Sequence, residues 1–208
     1  MLRPIILILA VTLSACAPPT KRSTHPPDEQ RWQTHLKQMA DLAAWDIRGR
    51  IAVQTENNGG QADLFWQQQS ADYYDIKLVL PLGGGTTVLQ GRDYGVVLIS
   101  ADGQKIYEDD PDRLLAAVQG WEFPVTGLTY WLRGMPVPGR NSRLIHWNEA
   151  GYLELMEQDG WRIEMRNYKQ VGDYFLPKKL FLRRLDDHEL DVRLVFRQWG
   201  LESGSGPQ

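Results

Sequence analysis

Histidine and carboxylate side chains at close spacing are the first candidates for chemistry in this chain. It has four histidines, His25, His35, His146 and His188, and only the last lies among carboxylates, in the run DDHELD at residues 186–191. Such a cluster can form a metal or acid–base site if further ligands join it from elsewhere in the fold. The same run is also an ordinary polar hairpin turn between two apolar stretches, which is the commoner interpretation.

Cys16 is the only cysteine in the sequence, and it follows a short apolar leader. Arg3 precedes the run IILILAVTL, which is too short to span a bilayer comfortably and is typical of a signal peptide. The run leads into LSAC, residues 13–16, which resembles a bacterial lipobox, whose cysteine is lipidated and becomes the new N-terminus. We predict a signal peptide over residues 1–15 and lipidation of Cys16; the alternative is a plain signal peptide that contains a cysteine. Ala17, in place of an aspartate, favours the outer membrane over the inner one.

The common catalytic motifs do not occur in the sequence. It has no HExxH and no GxSxG run, and the glycines at 83–85 lack the Lys and Ser/Thr of a phosphate-binding loop. Lipidation of the single cysteine leaves no thiol for nucleophilic work. We therefore predict that the chain is not an enzyme and uses neither a metal nor another cofactor.

Length and composition predict one folded domain. The 208 residues are 42% hydrophobic and 24% charged, and the net charge of −3 gives no support for a nucleic-acid partner. Residues 16–28 are rich in proline and lack apolar periodicity, so they predict a lipidated cysteine on a disordered tether. Residues 29–200 are predicted as the single domain and 201–208 as a flexible tail.

The elements that must position any site are a helix followed by many strands. Trp32, Leu36, Met39 and Ala43 form one apolar face, which predicts a helix over residues 29–44. The period then changes to two, which is typical of strands with one buried and one wet face. Runs of this kind cover residues 47–54, 62–67, 75–80, 161–166 and 190–197. Turn signals separate them at spacings that favour antiparallel meanders over βαβ units.

Two shorter helices are predicted among the strands. In the first, Asp110 can cap, Pro111 suits the first helical position and Gly120 suits the stop. The second places apolar residues on one face within 125–134 and ends near Pro136. We expect these helices to lie as a lid across one opening of a large, curled antiparallel sheet.

Tryptophan is frequent in this chain, which indicates an apolar binding site or a large core. Five of its eight tryptophans lie in or beside predicted strands and lid helices: Trp66, Trp121, Trp131, Trp161 and Trp199. Trp and Met offer large, adaptable apolar surfaces. An antiparallel barrel or half-barrel of this size can enclose a ligand cavity.

One turn between strands holds a leucine where polar residues are usual. The stretch IKLVLPLGGGTTVL, residues 76–89, places Leu82 between Pro81 and three glycines. Loop tips normally carry polar residues because they sit in water. Leu82 either protrudes on a turn that can swing or folds back onto the sheet.

Five stretches together resemble the LolB family of outer-membrane lipoproteins. They are GRIAV (49–53), FWQQQ (65–69), PLG (81–83), GWEFPV (120–125) and LTYWLRGMPVP (128–138), in the family's order and behind a lipobox. The last third of the chain matches only by its strand pattern, and the triple glycine after Leu82 departs from the family.

The resemblance implies a mainly β fold with some α: an open, incomplete antiparallel β-barrel of about ten or eleven strands under a helical lid, as in LolA and LolB. It also implies a function. Proteins of this family take lipoproteins from the periplasmic carrier LolA, shield the acyl chains in an apolar cavity and insert them into outer-membrane phospholipid. The chain would then be a monomer, anchored in the outer membrane and facing the periplasm.

The resemblance further assigns a membrane-transfer loop to Pro81, Leu82 and Gly83, with Leu82 protruding into solvent. Candidates for the acyl-chain cavity are Leu64, Trp66, Ile76, Leu78, Val88, Val96, Leu98, Trp121, Leu128, Trp131, Leu132, Met165, Leu194 and Phe196. An outer-membrane scaffold that binds proteins without lipid is the alternative from another class. A soluble-carrier-like shuttle and a lipid hydrolase are weaker alternatives, because the lipobox argues against diffusion and no nucleophile constellation is present.

Overall fold

The computed structural model describes residues 24–26, 28–119, 123–186 and 190–201. Within them the chain forms three helices, namely α1 (Glu29–Asp41), α2 (Pro111–Gln119) and α3 (Val125–Trp131). The strands are β1 (Trp45–Gln54), β2 (Gly59–Gln68), β3 (Tyr74–Val79), β4 (Thr86–Arg92), β5 (Gly95–Ile99), β6 (Lys105–Glu108), β7 (Ser142–Trp147), β8 (Leu153–Gln158), β9 (Trp161–Arg166), β10 (Lys169–Val171), β11 (Tyr174–Leu176), β12 (Lys179–Arg184) and β13 (Asp191–Gly200). Cys16, most of the predicted tether and the predicted tail beyond Leu201 lie outside the described residues.

Eleven of these strands form one antiparallel sheet in the order β6-β5-β4-β3-β2-β1-β13-β12-β9-β8-β7. The first and last strands of the chain pair at its middle, with Ile51 opposite Leu194. Within the described residues, the edge strands β6 and β7 do not pair with each other. The sheet is therefore an open antiparallel barrel, which confirms the predicted fold class. β10 and β11 form a separate hairpin that the alternating pattern did not predict.

The middle of the sheet depends on one glycine. The pairing of β1 with β13 shifts at a bulge between Arg48 and Gly49. A Cβ atom at residue 49 would lie 2.3 Å from the carbonyl oxygen of Val195. Only glycine fits where the bulge brings the two backbones this close.

α1 begins as its sequence predicts and ends three residues earlier than predicted. The side chain of Asp28 accepts a hydrogen bond from Arg31 N at 3.0 Å, which caps the first turn. At the other end, Ala43 N donates to Asp41 O instead of to Met39 O. The Met39 carbonyl instead accepts from the guanidinium of Arg133 at 2.7 Å, so the helix ends at Asp41 and not at residue 44.

α2 and α3 lie on the inner side of the sheet. Asp110 Oδ1 accepts from Asp112 N at 2.8 Å and so caps α2 as predicted, and α2 packs against β5 and β6. The carboxylate of Asp112 in turn accepts from Thr126 N at 3.1 Å, which ties α2 to the first turn of α3. None of the helices in the described ranges has the length and apolar character needed to cross a membrane.

Candidate functional site

An apolar cavity of about 610 Å³ lies between the inner face of strands β13 and β1 to β5 on one side and α2 with the start of α3 on the other. Its sheet wall consists of Ile51, Val53, Ala62, Leu64, Trp66, Ile76, Leu78, Leu80, Thr87, Leu89, Leu98 and Leu194. Leu115, Phe123 and Val125 close the helical side. The β1–β2 turn and the start of β2, residues 55–61, form a polar rim, and Glu56 is the one charged side chain among these lining residues. The site can therefore shield uncharged hydrocarbon while a polar group stays at the rim.

Six of the fourteen predicted cavity residues line this cavity: Leu64, Trp66, Ile76, Leu78, Leu98 and Leu194. They come together because alternation places them on the inner face, and the register sets Leu64 opposite Leu78 and Trp66 opposite Ile76. The indole N–H of Trp66 donates to Gln68 Oε1 at 2.8 Å, so this ring presents hydrocarbon to the cavity without a buried unpaired donor.

The other predicted cavity residues do not line the cavity. Val88 was predicted to face the cavity, and this prediction is wrong. Val88 pairs with Lys77 and Ile99, whereas its neighbours Thr87 and Leu89 line the cavity, so Val88 points to the outside of the sheet. Val96, Leu128, Trp131, Leu132, Met165 and Phe196 are buried in the core and do not line the cavity. Trp121 lies outside the described residues.

Several lining residues were not among the sequence predictions. Ile51, Val53 and Leu89 carry the same alternating signal as the predicted residues, so the pattern could have identified them. Thr87 could be found only from its position opposite Leu78 in the register. The polar rim carries no apolar signal, and it belongs to the site only because the turn folds over the cavity mouth.

The half of the barrel built by β7, β8 and β9 is filled by side chains. Trp131 and Met165 have no exposed surface. Gln158 fastens this half, because its Oε1 accepts from the Trp131 indole N–H at 2.9 Å and from Val137 N at 2.8 Å, while its Nε2 donates to Val137 O at 3.1 Å. These satisfied polar contacts fix α3 and the following segment against β8.

A buried arginine holds α3 against the end of α1. Besides Met39 O, the guanidinium of Arg133 donates to Leu42 O at 2.9 Å and to Thr129 O at 2.9 Å. It also lies 5.1 Å from the ring centroid of Tyr130. Burial lowers the pKa of Arg133 from its ordinary value, and the three carbonyl oxygens offset the cost of removing the cation from water.

Leu82 is fully exposed at the tip of the β3–β4 loop, with a relative accessibility of 106%. Leu80, two residues earlier, lines the cavity and is 41% exposed. The β1–β2, β3–β4 and β5–β6 turns lie at one end of the antiparallel meander. Leu80 at the cavity mouth and Leu82 at the loop tip therefore lie at the same end of the sheet.

The loop that carries Leu82 is a hydrogen-bonded turn and not a loose stalk. Leu80 N donates to Gly85 O at 3.0 Å, and Gly84 N donates to Pro81 O at 3.1 Å. Leu82 itself has φ 55° and ψ 31°, a left-handed conformation that costs a leucine about 1–2 kcal/mol. Because no burial offsets this strain, the turn holds an apolar side chain in water at a net cost in stability.

The histidine–carboxylate cluster has only its flanks among the described residues. Asp186 accepts from Arg184 at 2.7 and 2.6 Å, and Asp191 accepts from Arg183 at 2.8 and 3.1 Å. The hydrogen bond from Arg183 lowers the pKa of Asp191. Residues 187–189, with His188, lie outside the described part, and the residues that are described contain no group of three His, Cys, Asp or Glu side chains placed to hold a metal.

Comparison with known proteins matches most of this chain to one family. The family model described as "Outer membrane lipoprotein LolB" matches residues 43–199. Outer-membrane lipoprotein LolB of Pseudomonas aeruginosa is 40% identical over 173 residues, which covers 83% of this chain and 82% of the relative. The protein of the same name from Pseudomonas putida is 37% identical over 172 residues and covers the same shares.

Two solved structures share the fold at low sequence identity. A LolA superfamily protein from Nitrosomonas europaea aligns with a TM-score of 0.58 at 8% identity, over 82% of this chain and 93% of that one. A DUF1329 family protein from Desulfovibrio piger aligns with a TM-score of 0.52 at 8% identity, over 88% and 96%. Because the family model matches residues 43–199 and a relative is 40% identical over 83% of the chain, this chain belongs to the LolB family of outer-membrane lipoproteins.

Proposed function

We propose that this chain receives lipoproteins from a periplasmic carrier of the LolA type, holds their acyl chains in the β1–β5 cavity and inserts them into the phospholipid of the outer membrane. The observation that carries this function is an apolar cavity of about 610 Å³ at the same end of the sheet as the fully exposed Leu82. The chain acts as a monomer, and lipidated Cys16 anchors it in the outer membrane, facing the periplasm.

The energetics of acyl chains require such a receiver. A lipoprotein anchor with three chains has about 45 methylenes, and each costs about 0.8 kcal/mol in water, so full exposure would cost on the order of 35 kcal/mol. An anchor can therefore move between carrier and membrane only along continuous apolar surface. On the receiving side, the apolar cavity with Leu80 at its mouth offers the acyl chains such a surface, and the exposed Leu82 lies at the same end of the sheet.

The transfer itself needs no nucleotide. A tenfold gain in affinity at each step corresponds to about 1.4 kcal/mol, which small differences in buried apolar area provide. The sequence has no phosphate-binding loop, which agrees with transfer down a gradient of affinity. The role is one of trafficking and not of catalysis.

A scaffold role without lipid is less favoured. A protein that only binds partners needs no internal cavity with walls of Leu, Ile and Trp side chains, and dry apolar cavities reduce stability. The carrier and phospholipid partners follow from the lipid-transfer role, and the scaffold role would leave the cavity without use.

A photocrosslinking amino acid at residue 78 tests this function. Leu78 lines the cavity, whereas the neighbouring Lys77 lies on the outer face of the same strand and is the matched control. With a lipoprotein delivered by its carrier, we expect crosslinks to acyl chains from residue 78 and none from residue 77. Equal labelling from both positions, or none from residue 78, would contradict the proposed function.

A further inference from the structure

The volume of the cavity limits how much hydrocarbon it can hold. A cavity of about 150 Å³ in another protein holds one benzene, or six carbon atoms. The cavity here is about four times as large, so it has room for about 24 carbon atoms. A three-chain lipoprotein anchor has about twice that number.

The neighbouring half of the barrel cannot supply the missing volume in this state. Its interior is occupied by fully buried side chains such as Trp131 and Met165. The hydrogen bonds of Gln158 to Trp131 and Val137 fix these groups in place. Beyond the cavity, the open route leads to the mouth, where the polar rim and Leu80 lie.

We propose that the cavity accommodates one acyl chain and part of a second, so that a three-chain anchor is received and released one chain at a time. This inference rests on the proposed function and specifies how many acyl chains the cavity binds at one time. During transfer, the chains of one anchor are divided between this cavity and the carrier or the membrane. The exposed side chains at the mouth then serve as the contact across which the remaining chains move.

Counting bound fatty acids tests the capacity without any lipoprotein. The full mature chain with Cys16→Ala, which lacks its own acyl anchor, would be analysed by native mass spectrometry with octanoic, lauric and palmitic acid. A capacity of about 24 carbons predicts three, two and one bound molecules in that order. Three bound palmitates would overturn the capacity but leave lipoprotein transfer standing, whereas binding of none of the three acids would overturn both.

A matched pair of variants on one strand tests whether the count reports this cavity. Thr87→Phe adds four heavy atoms at a lining position that is only partly buried, and Val88→Phe adds as many on the outer face of the same strand. We expect Thr87→Phe to reduce lauric acid from two bound molecules to one and Val88→Phe to keep two. Equal counts in the two folded variants would show that the acids bind elsewhere, and would overturn the proposal.

Discussion

Replacing Leu82 with glutamate should separate stability from membrane transfer. The side chain is fully exposed, so the substitution removes no burial, and an unbranched glutamate tolerates the left-handed backbone about as well as leucine does. The melting temperature should therefore change little, by less than the equivalent of about 0.5 kcal/mol. Insertion of a leucine side chain into lipid contributes about 1.5–3 kcal/mol. Its loss should slow release into membranes by about 10- to 100-fold, because each 1.4 kcal/mol corresponds to a factor of ten.

The assay is transfer of a fluorescent lipoprotein from its carrier to the variant, and then from the variant to liposomes. Leu82→Glu should still accept the lipoprotein, since the cavity is unchanged, and release it slowly. Leu82→Met should keep near-normal release, because it is apolar and unbranched. Tyr94→Glu is the matched control: Tyr94 is also exposed, at 72%, but lies on the β4–β5 turn at the opposite end of the sheet.

Two outcomes would refute the reasoning about Leu82. Normal release by Leu82→Glu would show that the β3–β4 loop does not work at the membrane. A large fall in the melting temperature of Leu82→Glu would show that Leu82 packs against the fold and is not fully exposed. Slow release by Tyr94→Glu as well would point to surface charge in general as the cause.

Three further substitutions concern the interior. Gln158→Leu should lower the free energy of unfolding by about 3–5 kcal/mol in urea titrations, because it leaves the Trp131 indole and a backbone amide and carbonyl buried without partners; the exposed Gln67→Leu is the control and should change it little. Arg133→Leu should cost about 2–4 kcal/mol in the same measurement, because two buried carbonyls and one partly buried carbonyl lose their donor, and a neutral result would show that water replaces the guanidinium. Burial lowers the pKa of His35 from 6.5 to about 4. As the pH falls below 6.5, the unfolded chain therefore takes up a proton that His35 in the folded chain does not yet bind. The contribution of neutral His35 to the free energy of unfolding, about 3 kcal/mol, is complete above pH 6.5 and is lost as the pH falls towards 4. His35→Phe should flatten the pH dependence of unfolding in this window, and an unchanged slope would assign it to other groups.

The sequence by itself determined which face is buried in the strands with clear alternation, such as β2, whereas in β4 it assigned Val88 to the wrong face. A period of two leaves only two choices, and the apolar side of β2, with Leu64 and Trp66, can face only the interior. The cap Asp110 and the first helical residue Pro111 likewise marked the start of α2, because these signals act within one turn of the chain. The lipobox and the ordered motifs indicated the family, since they are local and need no packing to be recognised.

Only the tertiary structure decided which buried residues line the cavity and which fill the core. Leu98 and Met165 have the same kind of alternating pattern, yet one faces the cavity and the other is fully packed, because this depends on where α2 and α3 lie over the sheet. The early end of α1 was equally hidden, since it depends on Arg133, about ninety residues further along the chain. Leu82 was recognised as an anomaly from the sequence, but its rigid, left-handed placement follows from hydrogen bonds that close the turn. Contacts between residues distant in sequence set these features, and local periodicity contains no information about them.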